Sequence, residues 1–298
     1  MKIAITGASG FIGKYIVDHF VQKETEVAAI GRSKERLDRC FADNILKYES
    51  DYSLKSLTNI LEGIDVVIHL AATLLSRDTH PFKLSQFIEG NLLVTENMFL
   101  AAQQNRISRI CQTSSISVYS NSNTLPFSED EPPIPANIYG VSKLACEHLA
   151  DLFSARTNIK ITTLRLARLF GYGEREGLVF MKFMNLAQQK RPLKIWGTGT
   201  TRIDYIYIKD VISAIDKAVQ ANAPHGTFNI GSGRSYSANE IAETINRVFD
   251  NTGNIEFEPS KKEGGFSIYM DCSKAHKCLD WKPAWTLTDA IKDMQTYN

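Results

Sequence analysis

Short apolar runs recur along the first half of the chain. They lie at residues 2–5, 27–30, 66–70, 109–113 and 161–166. Helical patterns separate them, for example at 91–104 and 139–154. Near-continuous apolar strands that alternate with helices are typical of a parallel sheet covered on both faces. We therefore predict an α/β fold with a doubly wound parallel sheet.

The alternation loosens after about Gly171, where Gly-rich turns at 197–199, 231–233 and 264–265 separate short elements. Such a region is expected to form a smaller lobe over the strand ends, where open α/β sheets bind ligands. We predict that residues 1–170 form a dinucleotide-binding domain to which residues 203–232 return. Residues 171–202 and 233–298 are predicted to form a smaller substrate-binding lobe.

A glycine-rich turn follows the first apolar run at once. The segment TGASGFIG spans residues 6–13, and an amphipathic helical pattern comes after it. Gly7 allows a tight turn, Gly10 lets the backbone approach a pyrophosphate, and Gly13 lets the helix pack against the strand. The helix N-terminus then offers free N–H groups to the phosphates. This arrangement predicts a Rossmann-type cofactor site, with Phe11 and Ile12 as further contacts.

The end of the second strand indicates which dinucleotide binds. An Asp or Glu at this place binds the ribose 2′-hydroxyl of NAD. The chain has Gly31, Arg32 and Ser33 there instead. No carboxylate repels a 2′-phosphate, and the guanidinium of Arg32 offers a planar fork to hold one. We expect NAD or NADP, with NADP favoured; the alternative is that Arg32 and Lys34 are solvated loop charges.

Composition and charge exclude several other kinds of partner. The chain has 298 residues, 43% of them apolar, and a formal net charge of +1. Neither nucleic acid nor a membrane surface is therefore an expected partner. We expect no membrane span, because no apolar stretch is long enough, and no signal peptide, because the first strand begins at residue 2. The five cysteines and six histidines show no metal-ligand spacing, so we predict a cytoplasmic protein without a metal site.

Tyr139 and Lys143 form the second chemical motif, at the start of a helix. Because they are four residues apart, they share one helix face. The ordinary pKa of a tyrosine is ~10, and a nearby Lys⁺ is expected to lower that pKa. The tyrosine can then exchange a proton with a substrate hydroxyl while a nicotinamide exchanges a hydride. Ser115 can hydrogen-bond the substrate oxygen, and its neighbour Ser114 is an alternative.

In these residues the chain resembles the extended short-chain dehydrogenases/reductases, in particular the NAD-dependent epimerase/dehydratase group. The resemblance covers nearly the whole chain. Besides the glycine turn, it includes HLAA at 69–72, SSISVY at 114–119, YGVSK at 139–143, LRL at 164–166, WGTGTTRIDYIYIKD at 196–210, FNIGSG at 228–233 and DCSKA at 271–275.

The resemblance implies a nucleotide-sugar substrate. The catalytic Ser, Tyr and Lys of the family fall on Ser115, Tyr139 and Lys143. The cofactor contacts, beyond the glycine turn, Arg32 and Ser33, are Asp51, Tyr52, Leu70, Ala71, Ala72, Tyr139 and Lys143. The candidate substrate contacts are Thr73, Ser114, Arg168, Trp196 and Arg202. Arg202 matches an arginine that commonly binds the diphosphate, and Trp196 is a candidate to stack on the base.

Departures from the family pattern reduce the number of activities that we expect. Sugar-nucleotide dehydratases usually carry Thr-Asp-Glu where this chain has Ser114-Ser115-Ile116, so we do not expect dehydration. Many epimerases have Asn where this chain has Arg168. No second diphosphate arginine is evident near the C-terminus, where the lysines at 261–262 are poor substitutes.

Three activities fit these residues. The leading one is 4-epimerisation of a UDP-hexose or UDP-N-acetylhexosamine through a transient keto-sugar. The second is NADPH-dependent reduction of a keto-sugar nucleotide or another small carbonyl, and the third is a non-catalytic dinucleotide-binding sensor. The helices predicted at 91–104 and 139–154 could form the interface of a homodimer, as is common in the family.

Overall fold

A seven-stranded parallel sheet forms the centre of the computed structural model, which describes residues 1–75, 80–174 and 178–297. Numbered along the whole chain, its strands are β1 (Lys2–Thr6), β2 (Glu26–Gly31), β3 (Leu46–Glu49), β4 (Val66–His69), β5 (Arg109–Ser115), β6 (Lys160–Leu166) and β10 (Gly226–Ile230). Their order is β10-β6-β5-β4-β1-β2-β3, and all neighbouring pairs are parallel. The predicted fold class is confirmed. Because the strand order reverses beside β1, a crevice opens there at the carboxyl ends of the strands.

Helices cover both faces of this sheet. They are α1 (Phe11–Gln22), α2 (Lys34–Cys40), α3 (Leu54–Ile60), the short α4 (Ser85–Phe87), α5 (Leu93–Gln104), α6 (Ile138–Arg156) and α8 (Ile208–Ala218). Side chains of β1 alternate between the faces. Ile3 and Ile5 join the core that includes α1 and α8, whereas Ala4 joins the core that includes α3 and α5. Burial on both faces explains why the central strands are apolar throughout.

The remaining elements form two smaller sheets and the helices that pack on them. These elements are β7 (Arg168–Phe170), α7 (Val179–Gln188), β8 (Leu193–Trp196), β9 (Arg202–Tyr207), β11 (Ser235–Ser237), α9 (Ala238–Val248), β12 (Ile255–Glu258), α10 (Ser273–Leu279) and α11 (Leu287–Gln295). Strands β11, β9 and β7 form one sheet, and β12 pairs with β8 in the other. The chain returns to the main sheet at α8 and β10. The predicted limits of the two domains stay a prediction.

The apolar pattern did not predict β3 and β10, which lie at the two edges of the main sheet. Their sequences are LKYE and GTFNI, and both strands are partly exposed. An edge strand is less buried than a central one, so its sequence lacks a continuous apolar run. The sequence therefore indicated the central strands and not the edges.

The two long helices predicted from the sequence are present. Helix α6 contains the whole predicted segment, whereas the segment predicted to begin at residue 91 starts in a π-helical turn, Ile88–Leu92, that leads into α5. Across the described parts of the chain, we find no helix that is both long and apolar enough to cross a bilayer.

Candidate functional site

The turn between β1 and α1 requires a close approach of two backbone segments. A Cβ atom at Gly13 would collide with the carbonyl oxygens of Gly7 and Ala8. Only glycine therefore lets the first turn of α1 lie against the loop. The N-terminal N–H groups of α1 are left at the carboxyl end of β1, the place where a Rossmann fold holds a pyrophosphate.

A cavity of ≈ 470 Å³ opens at the carboxyl ends of the central strands. Its walls are formed by Gly7, Ser9, Gly10, Phe11, Ile12, Gly13, Gly31, Arg32, Ser33, Arg36, Tyr52, Leu70, Ala71, Ala72, Leu74, Thr113, Ser114, Ser115, Tyr139, Lys143, Leu166, Ala167 and Leu169. The glycine turn, the end of β2, the segment after β4 and the candidate catalytic residues thus share one cavity. Asp51 is the candidate cofactor contact that does not line it.

Asp51 and Tyr52 point to different partners. The carboxylate of Asp51 accepts a hydrogen bond from the backbone N–H of Ser53 at 2.9 Å, and this bond lowers the pKa of the carboxyl. Tyr52 is buried in the cavity wall, and its hydroxyl accepts a hydrogen bond from the N–H of Gly7 at 3.2 Å. The structure therefore places Asp51 in the turn before α3 and Tyr52 beside the glycine turn.

The end of the cavity beside β2 is positively charged. Arg32 and Arg36 both line it, and no Asp or Glu is among the lining residues. The guanidinium carbon of Arg32 lies 5.6 Å from the ring centre of Tyr52. The ion pairs that we find within the described part of α2 are made by Lys34 and Arg39 instead. The two cavity arginines are therefore free to meet an anionic ligand.

Arg36 was not among the predicted cofactor contacts. The hydroxyl of Ser33 accepts a hydrogen bond from the backbone N–H of Arg36 at 3.2 Å and so caps α2. This cap fixes the first turn of the helix and brings its third residue to the cavity. The sequence feature that could have indicated Arg36 is the helix-capping serine three residues before it.

His69 lies in a buried hydrogen-bond network below the cavity. Its Nδ1 is 2.8 Å from the hydroxyl of Thr6, and its Nε2 is 3.2 Å from the hydroxyl of Thr95. The Thr6 hydroxyl also accepts hydrogen bonds from the N–H groups of Leu70 and Ala71, both at 3.1 Å. Burial lowers the pKa of His69 to about 3, with a smaller contribution from Lys143. The histidine is therefore neutral and holds β1 to β4.

The ends of β5 and α6 bring the three candidate catalytic residues together. Ser115 is the last residue of β5, and Tyr139 and Lys143 lie in the first two turns of α6. A Cβ atom at Gly140 would collide with the carbonyl oxygen of Ser117, so glycine lets α6 begin against the turn that follows Ser115. The side chain of Asn137 caps the helix by accepting a hydrogen bond from Gly140 N–H at 2.9 Å.

Burial sets the protonation of the site. It raises the pKa of Tyr139 to about 12, and the hydrogen bond with Ser115 opposes this rise. Burial also lowers the pKa of Lys143, while the neighbouring Cys146 and Glu147 act in the opposite direction. The prediction that Lys143 lowers the pKa of Tyr139 is wrong in this structure, because burial favours the uncharged form of both side chains.

Asn91 joins the cofactor side of the cavity to the catalytic helix. Its Oδ1 accepts a hydrogen bond from Thr73 N–H at 2.6 Å, and its Nδ2 donates to the Thr73 carbonyl at 3.2 Å and to the Ser142 hydroxyl at 2.9 Å. The Ser142 hydroxyl in turn donates to the carbonyl of Tyr139 at 2.8 Å. Asn91 lies within the π-helical turn, and such turns are frequent at functional sites.

A buried ion pair anchors the same helix to the sheet. Arg165 of β6 donates from Nε to both carboxylate oxygens of Glu147 at 3.1 Å and from Nη2 to one of them at 2.7 Å. Its Nη1 donates to the hydroxyl of Tyr119 at 2.5 Å. Glu147 lies one turn beyond Lys143, so the pair fixes the position of α6 under the cavity.

Of the five candidate substrate contacts, Ser114 alone is among the residues that line the cavity. Its buried hydroxyl has no hydrogen-bond partner within the described residues. Thr73 follows the lining residue Ala72 and is held through its backbone by Asn91. Arg168 precedes the lining residue Leu169 in β7.

The other two candidates lie in the lobe and contact protein partners. The ring of Trp196 is 47% exposed and has the Lys261 ammonium 5.1 Å from its centre. Arg202 is paired with Glu240 at 3.0 Å. Their roles in substrate binding stay a prediction.

Glu174 is an unexpected acid in the loop after β7. One carboxylate oxygen, Oε2, is buried and has no hydrogen-bond partner within the described part of the chain. Burial raises the pKa of Glu174 from the ordinary 4.5 to about 8, and the charge of Arg168 opposes this rise. No sequence motif pointed to this residue, because its burial depends on how the lobe packs.

Comparisons with known proteins agree with the Rossmann-type cavity described above. The sequence profile of the NAD dependent epimerase/dehydratase family matches residues 3–231. The chain belongs to this family. A curated relative, the dTDP-4-dehydro-6-deoxyglucose reductase of Escherichia coli, is 29% identical, and the match covers 97% of this chain and 95% of the relative.

Solved structures of epimerases superimpose on this member of the epimerase/dehydratase family. The UDP-N-acetylglucosamine 4-epimerase from Bacillus cereus is 33% identical with a TM-score of 0.88, over 100% of this chain and 96% of that one. The UDP-glucuronic acid 4-epimerase from Bacillus cereus, in complex with UDP-glucuronic acid and NAD, is 26% identical with a TM-score of 0.85, over 100% and 98% of the two chains.

Family membership makes the chain an NAD(P)-dependent enzyme, and the cavity fits that cofactor. The glycine turn and the first residues of α1 line the cavity, and Arg32 and Arg36 supply positive charge, with no Asp or Glu among the lining residues. Lys143 and Tyr139 stand at the other end of the same cavity. A dinucleotide can therefore extend from the end of β2 to the candidate catalytic residues.

Proposed function

We propose that this enzyme is a nucleotide-sugar 4-epimerase whose substrate is a UDP-hexose or a UDP-N-acetylhexosamine. The observation that carries the proposal is the meeting of Ser115, Tyr139 and Lys143 in the cavity that begins at the glycine turn. Ser114-Ser115-Ile116 lacks the carboxylates that eliminate water, so dehydration does not fit. Both solved relatives named above are 4-epimerases of UDP-sugars, which supports this substrate class.

When bound, the NAD(P) cofactor supplies reversible hydride transfer. The residues of the chain manage the proton and the developing charge. Tyr139 would exchange a proton with the C4 oxygen of the sugar, and Ser115 would hydrogen-bond the same oxygen. Lys143 would hold the nicotinamide ribose. Inversion at C4 requires the keto-sugar to turn in the site, so the sugar must be held loosely and the diphosphate firmly.

We assign the substrate contacts accordingly. Ser114 and Thr73 would meet the sugar, because one lines the cavity and the other follows its wall. Arg168 and Arg202 lie on the paired strands β7 and β9, and Arg202 would bind the diphosphate. Trp196, with its ring half exposed, would stack on the base.

The proposed cofactor is NADP rather than NAD. Arg32, Arg36 and the hydroxyl of Ser33 surround the place where a 2′-phosphate would lie, and the cavity wall contains no acid to bind a free 2′-hydroxyl. Asp51 does not replace that acid, since it does not line the cavity. The solved relative named above contains NAD, so this chain would differ from it.

The same charge cluster favours a second candidate function, an NADPH-dependent reductase of a keto-sugar nucleotide or another small carbonyl. The E. coli relative is itself a reductase of a keto-sugar nucleotide. The two activities share the proton transfer and differ in whether the cofactor leaves. Mass spectrometry of nucleotide released by denaturing fresh protein separates them: a stoichiometric resident cofactor indicates the epimerase, and an empty protein indicates the reductase.

Replacement of Tyr139 tests the catalytic assignment and the third alternative, a non-catalytic sensor. We expect Tyr139→Phe to lower kcat about 10²- to 10⁴-fold with UDP-N-acetylglucosamine or UDP-glucose, because the variant cannot transfer the proton. Tyr48→Phe on β3 is the matched control and should retain full activity. Wild-type protein that turns over neither UDP-sugars nor keto-sugar nucleotides, yet binds the cofactor, would support the sensor.

We propose a homodimer formed through α5 and α6. These helices pack against each other, and Leu93, Val141 and Leu152 on them remain 44%, 41% and 47% exposed. A second copy would cover this apolar face. Leu152→Glu should convert a dimer to a monomer in analytical ultracentrifugation, whereas a wild-type protein that sediments as a monomer would contradict the proposal.

A further inference from the structure

The guanidinium of Arg202 is held along one edge. Its Nη2 donates to the carbonyl of Ser235 at 2.7 Å and to Oε1 of Glu240 at 3.1 Å. Its Nε donates to the hydroxyl of Ser235 at 3.3 Å. Within the described residues, Nη1 has no hydrogen-bond partner in this arrangement. The arginine thus presents its remaining N–H groups from a fixed position.

Glu240 is itself fixed by the start of α9. The N–H of Ser237 donates to Oε2 of Glu240 at 2.8 Å, and the N–H of Glu240 donates to the hydroxyl of Ser237 at 3.2 Å. These two bonds form a capping box. Ser237 pairs with Arg202 in the register of β11 and β9, so the helix cap lies opposite the arginine. The Ser237 N–H therefore fixes the carboxylate, the carboxylate fixes the guanidinium, and the Ser237 hydroxyl holds only the helix backbone.

We propose that Glu240 is a positioning residue for the nucleotide substrate: through its ion pair it holds Arg202 in place and leaves Nη1 available to the diphosphate. This inference rests on the proposed function, in which Arg202 binds that diphosphate. A free arginine side chain loses much rotamer freedom when it binds a phosphate, and an arginine that is already held loses less.

The negative charge of Glu240 opposes this gain, because it offsets part of the positive charge that attracts a diphosphate. The side chains of Arg202 and Glu240 are 42% and 39% exposed, so water screens the carboxylate. We therefore expect positioning to exceed the loss of attraction. If positioning is the larger effect, removal of the Glu240 charge weakens diphosphate binding. If the loss of attraction is the larger effect, the same change strengthens it.

Two variants separate positioning from a structural role of the cap. Glu240→Gln removes the charge and keeps an oxygen that can accept from Ser237 N–H, since glutamine also serves in capping boxes. Ser237→Ala removes the hydroxyl that caps α9 and leaves the Glu240 carboxylate beside Arg202. Glu240→Gln should lower the affinity for the ligand, whereas Ser237→Ala should lower the thermal stability.

The experiment measures binding of UDP to the full chain by calorimetry, with KM and kcat for the nucleotide-sugar in parallel. We expect Glu240→Gln to weaken UDP binding and raise KM about three- to fivefold with kcat little changed, the range of a half-exposed ion pair. Ser237→Ala should lower Tm and leave UDP affinity unchanged. In an Arg202→Ala background, Glu240→Gln should have no further effect on UDP affinity.

The outcomes distinguish failure of the inference from failure of the proposed function. If Arg202→Ala binds UDP as tightly as the wild type, both the diphosphate role of Arg202 and the role of Glu240 are overturned. If Arg202→Ala weakens binding but Glu240→Gln leaves it unchanged or tightens it, the inference alone fails. An equal loss on Glu240→Gln in both backgrounds would show that Glu240 acts through the fold, which also overturns the inference.

Discussion

The main-sheet half of the molecule and the smaller lobe each contain an arginine–glutamate pair, and the two pairs differ in burial. The side chains of Arg165 and Glu147 are 7% and 2% exposed, whereas those of Arg202 and Glu240 are 42% and 39% exposed. A buried pair must be satisfied completely, so it fixes the helix and strand that carry it. A half-exposed pair is screened by water and leaves donors for a ligand. The same residue types can therefore serve architecture in one half and recognition in the other.

The candidate ligand-binding side chains of the two regions differ in the same way. Arg32 and Arg36 line an open cavity that the strand ends form, and the ion pairs found beside them are made by other residues. In the lobe, Trp196 and Arg202 already contact Lys261 and Glu240. The two cavity arginines thus have no ion-pair partner within the described residues, whereas a substrate that binds the lobe as proposed must add to contacts that already exist.

Breaking the buried pair should have the largest effect on stability. We expect Glu147→Ala to lower the free energy of unfolding by about 3–5 kcal/mol, because it leaves the Arg165 charge buried and unpaired. Urea denaturation measures this change. The matched control is Glu35→Ala, which removes the exposed pair with Arg39 and should lower the free energy of unfolding by less than about 1 kcal/mol. If the two variants were equally stable, burial would not be the difference between the pairs.

Reversing a charge in the main-sheet half should change cofactor selectivity. We expect Arg32→Asp to lower the preference for NADPH over NADH about ten- to a hundredfold, because a charge-assisted hydrogen bond to the 2′-phosphate is lost. Dissociation constants from fluorescence titration measure the ratio. Lys34→Asp makes the same charge change at a residue paired with Asp38 and should alter the ratio little. Equal ratios in both variants would support solvated loop charges.

A pH titration should show a smaller effect in the lobe. The pKa of Glu174 is raised from 4.5 to about 8, so the folded state keeps a proton that the unfolded state releases above pH 4.5. The stability that the neutral carboxyl contributes is full below pH 4.5 and is lost as the pH rises to about 8. Glu174→Gln should therefore raise Tm relative to the wild type at pH 9 and not at pH 4. The same difference in Tm at pH 4 and pH 9 would exclude titration of Glu174 as the cause of that difference.

The sequence predicted features that depend on local spacing. The glycine turn and the four-residue spacing of Tyr139 and Lys143 indicated residues that the structure brings to one cavity. It did not indicate Arg36, whose position depends on where Ser33 caps α2, or Asn91, whose contacts depend on a π-helical turn. The pKa of Tyr139 was also not predictable from Lys143 alone, because burial has the larger effect.

Contacts between distant segments were the least predictable. Asp51 is adjacent to Tyr52 in sequence, yet only Tyr52 lines the cavity, because the Asp51 carboxylate accepts from Ser53. Arg202 and Glu240 are 38 residues apart and meet only through the pairing of β11 with β9. No local periodicity carries such information.

The place of β10 in the main sheet affects how the protein is made. The ribosome completes β10 only after β7, β8 and β9 of the lobe have emerged, yet this strand is the one that pairs with the outer side of β6. A nascent or truncated chain that stops before residue 226 exposes the backbone groups of β6 as an unpaired edge, which invites aggregation. The two halves must therefore fold cooperatively, and residues 1–170 should not be a usable expression unit.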